Sequence, residues 1–211
     1  MSLKLGKRQQ KSERNKKHIF DCAIALFREH GYHSVSVEDI VSASDTSVGT
    51  FYYYFKSKEE IPILYLKNYA HTAYEEYEQN VLDLANERGV SASERLFNFI
   101  LFSHISSHAG GEEFLRIAMS YLLREETGQT AYKYMLDPDR PFARMCKKLI
   151  SEGQKNGEFR TDRTVDELFS TLSLFSNGID ERWYISRGSF SIEKDYSDVI
   201  WEFIQRMMLA K

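Results

Sequence analysis

Cysteine is scarce in this chain: Cys22 and Cys146 are the only two among 211 residues. Two thiols cannot staple a fold of that size. That excludes the disulfide-rich secreted class and makes a reducing cytoplasm the expected location. Proline is scarce too, with 3 residues, and glycine is held to 11. Collagen-like and long disordered architectures are excluded, and long helices are free to form. No apolar run reaches the length of a membrane span, and the N-terminus lacks an apolar signal region, so no membrane partner is expected. Nor does one sign of charge dominate, since the net charge is −3. What is present is 42% hydrophobic and 28% charged residues, enough for a buried core under a soluble surface.

The charges are unevenly spread. Residues 1–20 hold Lys4, Lys7, Arg8, Lys11, Arg14, Lys16 and Lys17 against the single acid Glu13, which leaves the other 191 residues at −9. A basic arm on an acidic body suits contact with a polyanion such as DNA phosphate, through Lys11, Lys16 and Lys17 among others, lying along or in a minor groove. A solvated tail is the alternative.

The apolar spacing is helical almost throughout and predicts an all-α protein of about nine helices. Ile19, Ala23, Leu26 and Phe27 define a first helix over roughly 12–30, stopped at Gly31. Ser36 can cap a short second helix at Asp39, and Ser47 a third running to about Phe55. Ser57 opens a long fourth helix, with Glu60 spaced for a capping box; it continues through Tyr69, Ala73, Tyr77, Val81 and Leu84. Ser91 or Ser93 starts the next, which ends before Gly110. Residues 137–141, with two prolines, require a turn or kink. Leu168, Leu172, Phe175 and Ile179 form one further stripe; Tyr196, Ile200, Phe203 and Met207 form the last. The chain is expected to divide into residues 1–60 and 61–211.

Two short helices meeting at Ser44-Asp45-Thr46, after a first helix with a strong inward face, have the pattern of a helix-turn-helix. The turn needs a residue that tolerates positive φ, and Asp45 can supply it. On the third helix Phe51 and Phe55 read as core. Thr46, Ser47, Thr50, Tyr53 and Tyr54 offer hydroxyls to DNA, and Gly49 allows close approach. Three consecutive tyrosines, Tyr52 to Tyr54, cannot all face inward on one helix.

The stretch from Ile19 to Glu60, with Gly31-Tyr32, Ser36-Val37, Asp39-Ile40, Gly49-Thr50-Phe51-Tyr52 and Tyr54-Phe55-Lys56-Ser57-Lys58-Glu59, resembles the TetR/AcrR DNA-binding domain. A weaker echo lies at Gly153-Gln154, Gly157-Glu158-Phe159-Arg160-Thr161-Asp162 and Gly178-Ile179. The resemblance implies a homodimeric transcriptional regulator, usually a repressor released from its operator by a small ligand. It also implies that Ser36, Thr46, Ser47, Gly49, Tyr52, Tyr53, Tyr54 and Lys58 occupy DNA-facing positions. Asp45 stands where that family usually has glycine, and Val48 where lysine or arginine is frequent. A helical ligand-binding protein with weakened DNA binding, or an activator of the same fold, therefore remains the alternative.

Residues 60–211 carry 18 bases against 24 acids, so this part is not a second nucleic-acid surface. Its helix over 93–108 is apolar nearly all round and should be central. Phe97, Leu101, His104, Met119 and Trp183 are the candidate lining for a small organic effector, flat or oily in character. His104 can equally be a hydrogen-bonded core histidine. His104 and His108, one turn apart, suggest a metal site only if further ligands exist, and none is evident from spacing; no metal, cofactor or catalytic residue is expected. The last two helices carry surplus apolar residues, and Leu174, Gly178, Ile200, Phe203, Ile204 and Met207 are expected at a dimer interface. No nucleophile elbow, phosphate loop or HExxH motif points to an enzyme.

Overall fold

The computed structural model describes residues 6–82, 85, 88–108, 111–124 and 137–210, without the side chains of Lys7 and residues 66–71. The positions of Lys4, Leu84 and Gly110 lie outside the described residues, as does the side chain of Tyr69. Among the described residues the chain is all-α. The described residues include nine α-helices, in order α1 Lys7–His30, α2 Val37–Ala43, α3 Val48–Tyr54, α4 Glu60–Tyr77, α5 Ala92–His108, α6 Glu112–Leu122, α7 Pro141–Lys155, α8 Val165–Ile185 and α9 Ser197–Met207. Single π-helical turns extend α4 over Glu78–Leu82 and precede α9 over Ile192–Tyr196. No described helix is long and apolar enough to cross a membrane. The chain divides into two compact units, Met1–Tyr65 and Leu66–Lys211.

In the first unit, Ile19, Ala23 and Phe27 of α1, Ile40 of α2, Phe51 of α3 and Phe55 just after it are buried to 3% exposure or less. Each large side chain so buried contributes about 1.5–3 kcal/mol. The short helices hold because their ends are closed. Ser36 Oγ accepts from Asp39 N at 3.1 Å while the Asp39 carboxylate accepts from Ser36 N at 2.8 Å, a complete capping box. Ser47 Oγ accepts from Thr50 N at 3.1 Å. Such caps are worth about 1 kcal/mol each.

Two boundaries differ from the sequence reading. Helix α1 begins at Lys7 rather than near residue 12, because the polar residues 7–18 have good helix propensity and need no buried face to continue the turn. And Glu60 closes α4 by accepting from Lys56 N at 2.7 Å instead of forming a box with Ser57.

In the second unit α5 is central. Leu96, Phe99 and Ile100 are fully buried with Cys146, Leu149 and Ile150 of α7, Leu172 of α8, and Ile200 and Ile204 of α9. Burial pushes the Cys146 thiol far up, which marks it as inert core. The sequence 153–160 acts as a clasp. Gly157 has φ +81°, the Gly153 carbonyl accepts from Glu158 N and Phe159 N at 2.9 and 2.8 Å, and Arg160 N donates to the Met208 carbonyl at 2.8 Å. The Phe159 ring lies directly over Gly153, where a Cβ would meet it at 2.3 Å. The Glu158 carboxylate accepts from Ala92 N at 2.7 Å, from Ser93 N at 2.8 Å and from the Ser93 hydroxyl, so it caps α5. Burial works to raise its pKa, but these hydrogen bonds outweigh that and hold it below the usual value.

Candidate functional site

The turn between α2 and α3 is a Schellman motif. Thr46 N donates to the Val41 carbonyl at 2.9 Å and Asp45 N to the Ser42 carbonyl at 3.4 Å, with Asp45 at φ 47°. The positive φ expected at Asp45 is therefore present. It swings α3 away from α2 with Phe51 turned into the core and Tyr52 and Tyr53 turned outward, 55% and 78% exposed. Gly49 is exposed, and Val48 is 39% exposed. Thr46 and Thr50 are half-buried, and Thr50 Oγ1 is hydrogen-bonded to Ser47 Oγ at 2.9 Å. Tyr54 is half-buried, accepts from Ser12 Oγ at 3.2 Å and packs edge-on against Tyr53 with ring centroids 4.9 Å apart. The outer surface of α3 is thus a short aromatic face, braced by α1 through Tyr54.

The remaining residues of the expected interface divide by what already holds them. Ser36 is exposed, with its hydroxyl donating to Asp39 at 2.6 Å. Lys58 donates to the carbonyls of Tyr32 and Val35 at 2.9 and 2.6 Å, and its ammonium sits 4.1 Å from the Tyr32 ring centroid. That lysine ties the loop before α2 to the start of α4. Lys17 pairs with Asp21 at 2.6 Å on the surface, Lys16 lies 5.7 Å over the Phe55 ring, and Lys11 is exposed. All three stand on α1. A helix about 10 Å across is wider than a minor groove of about 6 Å, so of the two placements expected for the arm, along or in that groove, a helical segment over residues 7–20 suits the first.

In the second unit the five candidate effector residues are not gathered around one described opening. Phe97 packs edge-on against Trp201 at 5.4 Å; Leu101 and Met119 are half-buried. A cavity of about 200 Å³ is lined by Tyr74, Glu75, Glu78, Pro141, Arg144, Met145 and Lys148, and by none of the five. His104 is 1% exposed and both ring nitrogens are engaged: Nδ1 with Asp180 Oδ1 at 2.7 Å, Nε2 with Ser176 Oγ at 3.1 Å. Its surroundings are therefore those of a buried, hydrogen-bonded histidine away from the described cavity. His108 Nε2 meets the same Asp180 oxygen at 2.9 Å, and its ring stacks on Trp183 at 3.8 Å. Trp183 in turn donates from Nε1 to the Phe190 carbonyl at 3.0 Å. Burial raises the Asp180 pKa, but the two imidazoles outweigh it and bring the carboxyl down to about 2. The sequence reading missed Asp180 and Ser176. No local signal set them apart: α8 carries many other polar residues, among them Ser173, Asn177 and Glu181, and the partners of Ser176 and Asp180 lie 72 and 76 residues away.

The expected interface residues also divide. Ile200 and Ile204 are fully buried in the protomer's own core, so they have no surface to offer a partner. This corrects that part of the assignment: their stripe of α9 faces α5. Leu174 is 73% exposed and Gly178 is exposed with open space above it. Met207 is half-buried, as is Phe203, which stacks on Phe175 at 4.0 Å.

A capped helix-turn-helix with a bare aromatic recognition face, joined in one chain to a separate helical unit, defines a DNA-binding transcriptional regulator. Residues 19–62 match the profile of the bacterial regulatory proteins of the tetR family. It is 24% identical over 178 residues to the HTH-type transcriptional repressor KstR2 of Mycobacterium tuberculosis, covering 83% of this chain and 84% of that protein. Its fold is similar to that of the transcriptional regulator FadR from Bacillus subtilis in complex with stearoyl-CoA, with TM-score 0.64, 21% identity, and 89% and 96% of the two chains covered. It is also similar to Thermus thermophilus FadR in complex with lauroyl-CoA, with TM-score 0.67, 18% identity, and 93% and 96% covered.

Proposed function

We propose that this regulator is a repressor that binds a palindromic operator as a homodimer and leaves it when an acyl-CoA binds the C-terminal unit. The observation that carries the DNA reading is the outward face of α3, where Val48, Gly49, Tyr52 and Tyr53 are exposed while Phe51 anchors the helix from behind. Such a face can meet base edges and thymine methyls in a major groove, with Ser36, Thr46, Ser47 and Tyr54 at its margin. Lys11, Lys16 and Lys17 on α1 would then follow phosphates along the groove's rim, and Lys58 would act by holding the loop in place. For the dimer, Leu174 and Ile185 of α8 and Val199 of α9 are exposed apolar side chains, and a two-fold copy of the same face would cover them. Gly178 would permit close approach there, flanked by Phe203 and Met207. The effector class follows the FadR structures that hold acyl-CoA. Half-buried Phe97, Leu101, Met119 and Trp183 are apolar surface suited to an alkyl chain. Helix α4 continues from one unit into the next along the chain and is the proposed lever.

The test begins with an operator selected from random double-stranded DNA by the full-length protein. Footprinting should give two half-sites related by approximate two-fold symmetry, about one helical turn or somewhat more apart. Tyr53→Ala should then lose about 1–3 kcal/mol of operator affinity with stability unchanged within about 0.5 kcal/mol. Stearoyl-CoA should weaken operator binding roughly 5–150-fold. Failure to select any sequence, or full affinity in Tyr53→Ala, overturns the DNA reading. Operator affinity that stays constant with stearoyl-CoA overturns the effector class alone.

A further inference from the structure

We propose that His104, His108 and Asp180 form a binding site for a divalent transition metal of the zinc type, bridging α5 and α8. The two helices present matched pairs at one-turn spacing: His104 and His108 on α5, Ser176 and Asp180 on α8. One ligand atom from each of the three, a ring nitrogen or a carboxylate oxygen, lies within 4.8 Å of the other two. Two imidazoles and one carboxylate are a donor set that zinc takes in open sites, leaving a fourth position for water or a ligand.

The surroundings fit that use. The far nitrogen of His104 meets Ser176 Oγ at 3.1 Å, so with Nε2 donating to the hydroxyl the lone pair of Nδ1 turns toward Asp180. The His108 ring is clamped by its stack on Trp183, at 3.8 Å between centroids and 10° between planes. His108 is also the last residue of α5, where the negative end of the helix dipole favours a cation. The donors sit at 2.7 and 2.9 Å around one Asp180 oxygen. A tetrahedral ion holds its ligand atoms roughly 3.3 Å apart, so the two contacts to Asp180 lengthen while the ring nitrogens stay within the 4.8 Å span, a shift that His108 at the end of α5 can supply. Asp180, 29% exposed, gives the ion a route from solvent. Binding exchanges the protons shared between the imidazoles and the carboxylate for one cation, and no other bond changes.

The site stands independently of the operator reading and shares Trp183 with the surface proposed for the acyl chain. The probe is Zn²⁺ alone, titrated calorimetrically into the untagged full-length protein, with Co²⁺ in parallel for its visible d–d spectrum. We expect one equivalent per chain and the intense bands of a four-coordinate cobalt site. Asp180→Asn keeps the shape and removes the anionic ligand; it and His108→Ala should each lower affinity at least about tenfold, and Ser176→Ala roughly tenfold through loss of the outer partner. His33→Ala, which alters an exposed histidine elsewhere, should bind like wild type. Circular dichroism of each variant establishes that it is folded, and Asp180→Asn serves if His108→Ala is not. Absence of a saturating equivalent in wild type, or unchanged affinity in folded Asp180→Asn, overturns the proposal.

Discussion

The two units differ in where the polar groups that cap and fix their helices find partners. In the helix-turn-helix unit the caps close within three or four residues: Ser36 with Asp39, Ser47 with Thr50, Lys56 with Glu60. In the second unit a local box also closes α8, Thr164 with Glu167, but other polar groups reach across the chain. Glu158 caps α5 from 66 residues away, Arg95 meets Glu152 at 2.8 Å, and His104 meets Asp180. Local caps make short helices self-sufficient at a surface, which leaves the outer face of α3 available. Long-range polar pairs inside an apolar bundle cannot be exchanged for water at low cost, so they fix which helices are neighbours and in what register. The first unit is built to present a face; the second is built to hold an arrangement that a ligand can bias.

The strongest challenge to that contrast is steric. Gly153→Ala would drive a Cβ to 2.3 Å from the Phe159 ring, which is itself 1% exposed and tied to the C-terminal segment by the pairing with Leu209. Overpacking at so confined a position should cost about 2–3 kcal/mol of the stability of the second unit, read as a lowered midpoint in urea unfolding of the full chain. The clasp lies wholly within the second unit, so operator affinity at low denaturant should stay as it is. A midpoint like that of wild type would mean the Phe159 ring can turn aside and that the clasp is looser than its geometry implies.

The same contrast explains how far the sequence could be read. Ser36, Ser47, Gly31 and the core pair Phe51 and Phe55 are local signals, with partner and periodicity within one or two turns, and the helix-turn-helix follows from them. The start of α1 was misplaced because residues 7–18 carry no apolar stripe to mark it. Ile200 and Ile204 were offered to a partner because apolar spacing alone does not say which of two stripes faces inward. Asp180 was overlooked for the same reason in polar form: its partners are 72 and 76 residues away, and nothing within a turn of it announces them. Glu158 lay inside a recognised motif, yet its target, the start of α5, is legible only in three dimensions.

Glu158 gives the next test, smaller in size and dependent on pH. Its folded-state pKa lies below the usual glutamate value, so the carboxylate favours the folded protein above the unfolded pKa of about 4.3, and that contribution fades as pH falls through the lower folded-state value. Glu158→Gln retains one acceptor and removes the charge at the N-terminus of α5, and should cost about 1 kcal/mol at pH 7. The gap between wild type and variant, followed by urea unfolding from pH 7 down to 3, should narrow once the wild-type carboxyl takes up its proton. A gap that holds constant to pH 3 would show that the loss comes from packing of the amide rather than from the charge.

The smallest effect is expected at Asp45, and it separates two properties of one residue. At φ 47° the backbone sits where an L-residue is strained, although aspartate bears this better than most. Its carboxylate also stands two residues before the cap of α3, the helix proposed to enter the major groove. Asp45→Gly relieves the strain but gives the unfolded chain more freedom, for a net gain of about 0.5 kcal/mol in stability. Asp45→Asn keeps the same backbone demand and should leave stability close to wild type. Both remove a negative charge, so both should tighten operator binding by about 0.3–1 kcal/mol at low salt, and less as salt screens it. Gain of affinity in the glycine variant alone would assign the effect to the geometry of the turn. Unchanged affinity in both would move the turn out of the field of the DNA and leave the exposed tyrosines of α3 to carry the contact.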